Sequence, residues 1–210
     1  MTHTWRTSTP ADYEQAERDA IRRENEPLPG PVQRHWFLSR LFHIGDGWIE
    51  LRALLPGTEP KRKFFAVGDF DGIEKFIELY SGDRNIYFGV AARRIKGDGS
   101  LTNCSVMRAF FGDIDFKITP ETEARKRLAA FIYPNPTLRV RSGYGLHLYW
   151  VLSNPVDLQR NAADCKRRLV GMADALGGDT GSAEPAHILR LPGTLNFKYS
   201  PPREVTLEHF

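Results

Sequence analysis

The sequence predicts an α+β fold, in which helices pack on an antiparallel sheet. The first observation is the order of elements in the second half of the chain, which is strand, helix, strand, strand and helix. The second is a hairpin signal, because two strand-like runs, Thr137–Ser142 and Leu146–Leu152, are joined by Gly-Tyr-Gly. The third is the composition: 210 residues, 41% apolar and 26% charged, are typical of a globular protein. We therefore expect residues 1–210 to form a single domain.

In the first half, capping residues and periodicity predict each element. Thr9 as N-cap and Pro10 at the first helical position predict a helix, and the Pro- and Gly-rich run Glu26–Val32 predicts a break after it. Apolar residues recur at helical spacing over Phe70–Tyr80, which predicts a second helix. A polar, glycine-containing loop is expected over 93–103. Strands are predicted at Trp48–Leu55, Phe64–Val67 and Asn85–Ala91.

In the second half, the next strand contains the run FFGDIDF, residues 110–116. A capped helix is predicted to start at Thr119–Pro120 and to run to about Phe131, where the sequence YPNP ends it. A longer helix is predicted over Asp157–Leu176, closed by a pair of glycines as a C-cap. The remainder predicts loops and short extended pieces, with a last strand at Val205–Leu207.

Composition argues against two classes of protein. No run approaches the ~20 apolar residues of a membrane helix, and the N-terminus lacks an apolar signal core. The two cysteines, Cys104 and Cys165, are far apart and form no CxxC pair, which favours a reducing cytosol and argues against structural zinc. The chain is therefore expected to be cytoplasmic, without a membrane partner.

The charge pattern leaves the partner open. The net charge of +3 is too small to indicate nucleic-acid binding by itself. Basic residues nevertheless cluster, and Arg139 and Arg141 lie two apart on a predicted strand, where their side chains could line one face of a groove. The clusters therefore permit a polyanionic partner without requiring one.

Two aspartates, Asp113 and Asp115, are the most informative feature. They lie two apart in an otherwise apolar strand, so both carboxylates should leave the same face of the sheet. Adjacent negative charges repel and resist desolvation unless a cation or strong donors neutralise them. Hard carboxylate oxygens suit magnesium or manganese. The alternative is an exposed acidic strand end.

A glycine-rich turn and a histidine follow on the predicted hairpin. Gly143 and Gly145 would let a ligand approach the backbone and leave N–H groups for phosphate oxygens. His147, on the second strand, would hold or protonate a phosphate, although a strand histidine is often structural. Tyr149 and Trp150 point to opposite faces, so one is expected in the core, and the other stacks on a base or packs under the hairpin.

A third group of polar residues lies within Gly177–Lys198. Asp179 offers a third carboxylate, with Glu184 as a rival. Arg190, a Pro-Gly turn and Lys198 suit a triphosphate clamp, since an arginine can bind phosphate through two N–H groups. For Glu184 and for His187 the structural and functional interpretations both stay open.

Taken in order, these pieces resemble one family. RNIYFGVAARR, FFGDIDF, SGYGLHLYW and GGDTGSAEPAHILRLPGTLNFK are similar to the catalytic domain of the archaeo-eukaryotic primase superfamily, specifically the primase–polymerases of plasmids, phages and other mobile elements. The resemblance covers about residues 85–198, and its last piece is the most specific. It implies an N-terminal α/β lobe (about 1–105) and an RRM-like lobe (about 106–210), with the active site in the cleft between them.

The resemblance also implies a role for each candidate residue. Asp113, Asp115 and Asp179 would be catalytic and would bind two Mg²⁺ or Mn²⁺ ions. Where the family often has a serine, two residues before the motif histidine, this chain has Gly145, so Ser142 or backbone N–H groups would take its place. The nucleotide-binding set would be Ser142, Gly145, His147, Arg190 and Lys198. The DNA-binding set would be Arg93 and Arg94, with the alternating pair Arg139 and Arg141 added.

The implied activity is template-dependent nucleotidyl transfer by a DNA primase–polymerase. Its partners would be a single-stranded DNA template, NTP or dNTP substrates, and a fused or separate helicase. No helicase-like GxxxxGK[ST] motif occurs in the sequence. Because domains of the family that the chain resembles are commonly fused to helicases or helical priming modules, the resemblance implies that this is the N-terminal domain of a longer replication protein. Two alternatives stay open: a catalytically silent RRM-like module that binds single strands, and a metal-dependent nuclease.

Overall fold

The computed structural model describes residues 28–208, and all structural statements refer to that part of the chain. The helices are α1 (Gly30–Leu41), α2 (Phe70–Tyr80), α3 (Glu121–Ala129) and α4 (Leu158–Leu176). The strands are β1 (Trp48–Leu54), β2 (Lys61–Ala66), β3 (Asn85–Gly89), β4 (Val106–Asp115), β5 (Leu138–Arg141), β6 (Gly145–Asp157), β7 (Ile188–Arg190), β8 (Thr194–Asn196) and β9 (Arg203–Glu208). Short 3₁₀ turns lie at Leu101–Asn103 and Thr180–Ser182.

These strands form two antiparallel sheets. The first sheet has the order β2-β1-β3-β7 and the second has the order β4-β6-β5-β9-β8. The α+β prediction is confirmed at this level. Strand β7 comes from the second half of the chain but completes the first sheet. The strands of the two sheets are therefore not separated into two halves of the sequence. The predicted division into two lobes near residue 105 stays a prediction.

The two faces of the second sheet have different neighbours. On one face, Ile114, Leu146, Leu148 and Trp150 pack with residues of α3 and α4 in a small apolar cluster. On the other face, side chains such as Tyr149 join the main core together with residues of the first sheet and α1. Asp113 and His147 belong to this second face, because strand side chains alternate.

Helix α1 joins the two sheets through one aromatic ring. Phe37 lies 5.2 Å from the ring of Phe88 on β3 and 5.1 Å from that of Tyr149 on β6, both edge to face. Such pairs stabilise a core beyond the area that they bury. Phe37 therefore packs against both sheets at once.

Several predicted elements are confirmed. Helix α2 has the predicted bounds, and α4 begins where Asp157 caps it by accepting a hydrogen bond from the Gln159 N–H (2.9 Å). Gly177 ends α4 with φ +72°, a conformation that favours glycine. The β5–β6 hairpin forms around Gly-Tyr-Gly, with Arg141 opposite Leu146.

Other predictions are wrong or incomplete. The expected break over 26–32 does not extend through residue 32, because α1 begins at Gly30 with Pro31 in its first turn, where the missing N–H is no loss. Strand β6 continues to Asp157 instead of ending at Leu152.

The Thr119 hydroxyl donates to the Gly177 carbonyl (2.6 Å) and so joins α3 to the end of α4.

The helix expected from Thr9 lies outside the described residues. Within residues 28–208, no helix combines the length and apolar character needed to cross a bilayer.

Candidate active site

The two aspartates lie at the end of β4. Asp113 is directly opposite His147 of β6, and Asp115 is opposite Gly145. Since they are two apart on a strand, their side chains leave the same face, as predicted. Asp113 is half-buried and Asp115 is exposed at the sheet's edge. The pair therefore leads from the interior of the protein to solvent.

His147 contacts Asp113 from the neighbouring strand. Its Nε2 lies 3.5 Å from the Asp113 Oδ1, and the His147 side chain is only 2% exposed. Burial, together with the positive charges of Arg190 and His187, lowers the pKa of His147 to about 3. The imidazole is therefore neutral at neutral pH, with one N–H to donate and one nitrogen to accept.

Asp179 comes close to Asp113 through its backbone. The Asp179 N–H donates to the Asp113 carbonyl (3.1 Å). Gly178 makes this approach possible, because a Cβ there would lie 2.5 Å from the same carbonyl oxygen. The Asp179 carboxylate itself accepts from the Gly181 N–H and the Ser182 hydroxyl (both 2.8 Å), and these bonds lower its pKa. It thus caps the turn over Thr180–Ser182.

Charged residues from several separate segments influence the pKa of Asp113. Burial raises the pKa of Asp113, the charges of His187 and Arg190 lower it, and the negative charges of Asp179 and Asp115 raise it again. The net shift of the Asp113 pKa is upward, so its ionised form is destabilised. A cation bound between these carboxylates would stabilise the ionised form.

The donor set suits a hard divalent cation, but the carboxylates are not gathered as a closed ligand set. Over residues 28–208, no group of three or more His, Cys, Asp or Glu side chains is arranged to hold a metal ion. Asp115 accepts from the Lys117 N–H (2.9 Å), and Asp179 is bonded within its own turn. Oxygen donors of this type fit Mg²⁺ or Mn²⁺. The hydrogen bonds that these carboxylates accept leave lone pairs for a cation, because an ionised carboxylate has about four acceptor sites.

Glu184, the rival third carboxylate, lies 3.5 Å from the Lys166 Nζ of α4, at the protein surface. Its charge raises the pKa of His187, so it is within electrostatic reach of the site. The choice between Asp179 and Glu184 stays open.

Arg190 brings the first sheet to the site. It lies opposite Tyr87 of β3, with its guanidinium carbon 5.1 Å from the centroid of that ring. Its Nε and Nη2 are buried, and neither has a hydrogen-bond partner among the described residues. Buried guanidinium donors are rarely left unpaired, which indicates a place for an anionic ligand.

Two further buried polar atoms near Asp113 lack a hydrogen-bond partner in the described part of the chain: the His147 Nδ1 and the Tyr149 hydroxyl. Burial and the nearby Asp113 charge raise the pKa of Tyr149 well above its ordinary value. Trp150, on the opposite face, donates from Nε1 to the Pro134 carbonyl (2.7 Å). Both aromatic residues are buried, so neither offers a free ring to a base.

Strand register also builds an arginine row that sequence analysis missed. Arg62, Arg52, Tyr87 and Arg190 lie directly opposite one another across β2, β1, β3 and β7, and directly opposed residues share a face. Glu50, on the same face, accepts from the Arg52 Nε (2.7 Å). Arg52 and Arg62 both pair with Glu50 (2.7 and 3.9 Å), and Arg190 is the arginine of the row whose charge acts on Asp113.

His187 belongs to the site although its sequence context left its role open. Its ring stacks on Phe111 with the centroids 6.0 Å apart and an interplanar angle of 14°. Burial lowers its pKa, while the charges of Asp113 and Asp179 raise it. The signal that could have identified it is its position three residues before Arg190. Arg52 and Tyr87 carried no sequence signal, because register alone aligns them with Arg190.

The structure explains why glycine stands at position 145. A Cβ there would lie 2.4 Å from the Ile114 carbonyl oxygen, so no side chain fits. The Ser142 Oγ lies 3.0 Å from the same Cβ position and is buried in the turn. A hydroxyl is therefore present beside the position where the family motif often has serine. The predicted nucleotide contacts of Ser142 and Gly145 stay predictions.

The predicted DNA contact of Arg93 is wrong. Its side chain is 0% exposed and pairs with the equally buried Glu50 (Nη2 to Oε2, 2.9 Å). Its remaining donors reach the Ala91 carbonyl (2.8 Å), the Cys104 Sγ (3.1 Å) and the Ala186 carbonyl (3.3 Å). A guanidinium enclosed and bonded in this way has no donor left for a phosphate.

Arg139 and Arg141 share a face of the second sheet, as predicted, and it is the face away from Asp113. They lie opposite Leu148 and Leu146 on the face that α3 and α4 cover, whereas Asp113 is on the other. Arg141 pairs there with Glu121 (2.7 Å) and Glu208 (2.9 Å). The predicted DNA contact of the pair would therefore form on the face away from Asp113, and it stays a prediction.

Arg94 and Lys198 are both exposed. The Lys198 N–H donates to the Asn196 side chain (3.0 Å) in the turn after β8. No described contact joins either side chain to Asp113, so their roles stay predictions.

Solved structures of primase domains share this fold. One is the AEP domain (PP-N190) of the cyanophage S-2L primase-polymerase (PrimPol), with a TM-score of 0.61 and 19% identity over 84% of this chain and 88% of that one. A structure of primase RepB′ gives 0.56 at 13% identity, covering 86% of this chain and 55% of that one. The RepB′ catalytic domain in complex with initiator DNA gives 0.55 at 14% identity, covering 86% and 82%.

No family model matches the sequence, and no curated protein matches it either. The structural neighbours nevertheless confirm the resemblance at the level of the fold. The chain has the fold of primase and primase-polymerase domains of the archaeo-eukaryotic type.

Proposed function

We propose that this chain is a DNA primase–polymerase domain that transfers nucleotides from NTPs or dNTPs to a growing strand on a single-stranded DNA template, including de novo primer synthesis. Its fold is that of primase domains. The RepB′ catalytic domain was solved with initiator DNA, which supports a DNA partner for this chain too.

The observation that carries the proposal is the meeting of unlike charges around Asp113. Asp115 and Asp179 add negative charge beside it, and Arg190 supplies buried donors without hydrogen-bond partners in residues 28–208. A nucleoside triphosphate with its divalent cations would pair with both groups of side chains: the cations would bind the carboxylates, and the phosphate oxygens would accept from the donors of Arg190.

Asp113, Asp115 and Asp179 would hold two Mg²⁺ or Mn²⁺ ions, with Glu184 as the alternative third ligand. Ions held there would supply Lewis acidity at the attacking hydroxyl and positive charge beside the departing pyrophosphate. Arg190 would donate to the triphosphate, and the neutral imidazole of His147 would donate one N–H beside it. Ser142, the backbone at Gly145 and Lys198 would complete the nucleotide contacts.

The template would follow positive charge. Arg94 is exposed, and Arg190 places positive charge beside Asp113. The active site would then lie in a cleft between the two sheets, and a fused or separate helicase would supply the single strand. These partners are part of the proposal.

Primer extension tests the proposal directly. The protein is incubated with a single-stranded template, labelled nucleotides and Mn²⁺ or Mg²⁺, with and without a primer. We expect labelled products that lengthen on the template. Asp113→Asn should reduce the rate by about a thousandfold or more, because it removes a charge that holds the ions. Asp174→Asn, at an exposed position of α4, is the matched control and should leave the rate unchanged.

Two results would contradict the proposal. If the oligonucleotide is shortened instead of extended, and Asp113→Asn stops the shortening, the site is a nuclease. If the wild-type protein binds the template but neither lengthens nor shortens it with either metal, the domain is a silent binding module.

A further inference from the structure

A second cluster lies beside the carboxylates and has no role in the site described above. Tyr144, Tyr199 and Arg203 form a tyrosine–arginine stack, in which the Arg203 guanidinium carbon lies 4.9 Å from the Tyr144 ring centroid and 4.3 Å from that of Tyr199. The two rings are 5.9 Å apart. Phe116 contacts Tyr144 edge to face (6.3 Å), and the Lys117 Nζ lies 5.2 Å from the Tyr199 centroid.

The stack begins where β4 ends. The Phe116 N–H donates to the Tyr144 carbonyl (3.2 Å), and the next N–H, that of Lys117, donates to the Asp115 carboxylate (2.9 Å). Gly145 follows Tyr144 and lies opposite Asp115. The cluster therefore adjoins the acidic pair at the end of β4.

The turn that carries Tyr144 is held in place. Gly143 has φ +95°, and the Arg203 Nη1 donates to its carbonyl (3.2 Å). On the other side, Gly145 packs against the Ile114 carbonyl so closely that a Cβ would not fit. A ring fixed at a turn loses little conformational freedom when a ligand stacks on it.

Burial in the core does not explain this arrangement. Tyr144 is 41% exposed, and both cations of the cluster lie at the surface. An aromatic face with adjacent Arg and Lys side chains is what an unpaired nucleobase and its phosphate require, because the base stacks and the cations neutralise the phosphate. Because the stack lies beside Asp115, a nucleic-acid strand bound to it would run next to the candidate active site.

We infer that the tyrosine–arginine stack binds an unpaired base of a single nucleic-acid strand next to the acidic pair, with Lys117 on the adjacent phosphate. The inference deepens the proposed function and rests on it for the identity of the strand. The stacking contact itself does not depend on catalysis.

Strand binding in the absence of divalent metal tests the inference. The probes are a labelled oligothymidylate and the same strand with abasic sites in place of its central bases, and the readout is fluorescence anisotropy. We expect wild-type protein to bind the base-bearing strand about tenfold more tightly than the abasic strand. Tyr144→Leu should abolish this difference, and Tyr144→Phe should keep it because the ring remains.

Tyr133→Leu is the matched control. Tyr133 is 54% exposed and packs on Phe131 beside the face of the second sheet that α3 and α4 cover. Its loss should leave the discrimination between the two strands unchanged. Circular dichroism checks that each variant folds, and Tyr199→Leu provides a second test of the stack if Tyr144→Leu does not fold.

Lys117→Ala separates phosphate binding from stacking. This variant should bind both strands more weakly, with the slope of log affinity against log salt reduced by about 0.7, while the discrimination between them is kept. A competition arm with a mononucleotide distinguishes a strand site from a free-nucleotide site: we expect no displacement that depends on Tyr144.

The inference is overturned if wild-type protein binds both strands equally, if Tyr144→Leu keeps the discrimination, or if a mononucleotide displaces the strand only when Tyr144 is present. Failure of the proposed function is a separate result, because it appears as absent primer extension. The binding assay is therefore repeated with Asp113→Asn, which should show the same dependence on Tyr144.

Discussion

Two arginines near the polar face of the first sheet, Arg93 and Arg190, have opposite surroundings. Arg93 is enclosed, and its donors reach Glu50, two carbonyls and a thiol. Arg190 has two buried nitrogens with no hydrogen-bond partner in residues 28–208 and is flanked by a tyrosine ring. The first region has satisfied its polar groups within the protein, and the second has not.

This difference indicates that the charge of Arg93 stabilises the fold, whereas the charge of Arg190 is available to bind a ligand. Breaking a buried ion pair strands the remaining charge and strongly destabilises a protein. Buried donors without hydrogen-bond partners raise the free energy of the ligand-free protein. A ligand that accepts hydrogen bonds from them removes this cost and therefore binds more strongly. Substitutions in the Arg93 region should therefore change folding, and substitutions in the Arg190 region should change ligand binding.

The largest effect is expected from Glu50→Gln. The change leaves Arg93 buried without its counter-charge, so the free energy of unfolding should fall by about 3–5 kcal/mol. Urea denaturation measures this loss. The double variant Glu50→Gln with Arg93→Met should recover part of it, since the stranded charge is gone. If the single change leaves the unfolding free energy unaltered, the pair does not stabilise the fold.

The next effect concerns Arg190→Met. We expect the KM for the nucleotide to rise about 10- to 100-fold, because charge-assisted hydrogen bonds to the phosphates are lost. The unfolding free energy should change little, since the buried Nε and Nη2 of Arg190 have no hydrogen-bond partner in residues 28–208 to lose.

Arg141→Met is the control for Arg190→Met, because Arg141 lies on the opposite face of the second sheet, paired with Glu121 and Glu208. Its KM should stay near that of the wild type. The comparison between the two regions fails if Arg190→Met destabilises the fold while the KM is unchanged.

The smallest effect is the titration of His147 in the metal-free protein. Its pKa of about 3 reflects burial beside Arg190 and His187, with Asp113 the facing carboxylate. The unfolded histidine takes up a proton near pH 6.5 and the folded one does not. The stability that this difference contributes is thus complete above about pH 6.5 and is lost as the pH falls toward 3.

An NMR titration measures this directly. The imidazole signal that His147→Asn removes should stay at its neutral position between about pH 8 and pH 4. The same histidines in urea provide the reference. A midpoint for His147 near 6.5 in the folded protein would mean that its side chain reaches water.

Much of the fold could be predicted from local sequence. Helix α2, the Asp157 cap of α4 and the β5–β6 hairpin depend on periodicity and on short capping and turn signals. Helix α1 was missed because Pro29–Pro31 looks like a break, and because Gln33 and Arg34 are buried, which weakens the apolar stripe. Gln33 is bonded to the Leu28 carbonyl and the Leu207 N–H, contacts that no local pattern reveals.

The candidate site divides in the same way. A spacing of two placed Asp113 and Asp115 on one face, and the same rule placed Arg139 and Arg141 on one face. The rule cannot say whether the two pairs share that face, and the structure puts them on opposite sides. The arginine row entered the site only through strand register, and His187 entered it through its contact with Phe111.

By itself, the sequence determined which side chains travel together along each strand and helix, because backbone geometry repeats every two or 3.6 residues. It also determined the order of the motifs that resemble primase domains. Only the tertiary structure decided which of those sets face each other and which are enclosed. Burial and pairing arise between segments far apart in the chain, as when β7 carries Arg190 across to the first sheet. The same long-range packing enclosed Arg93 and left Tyr144 at the surface.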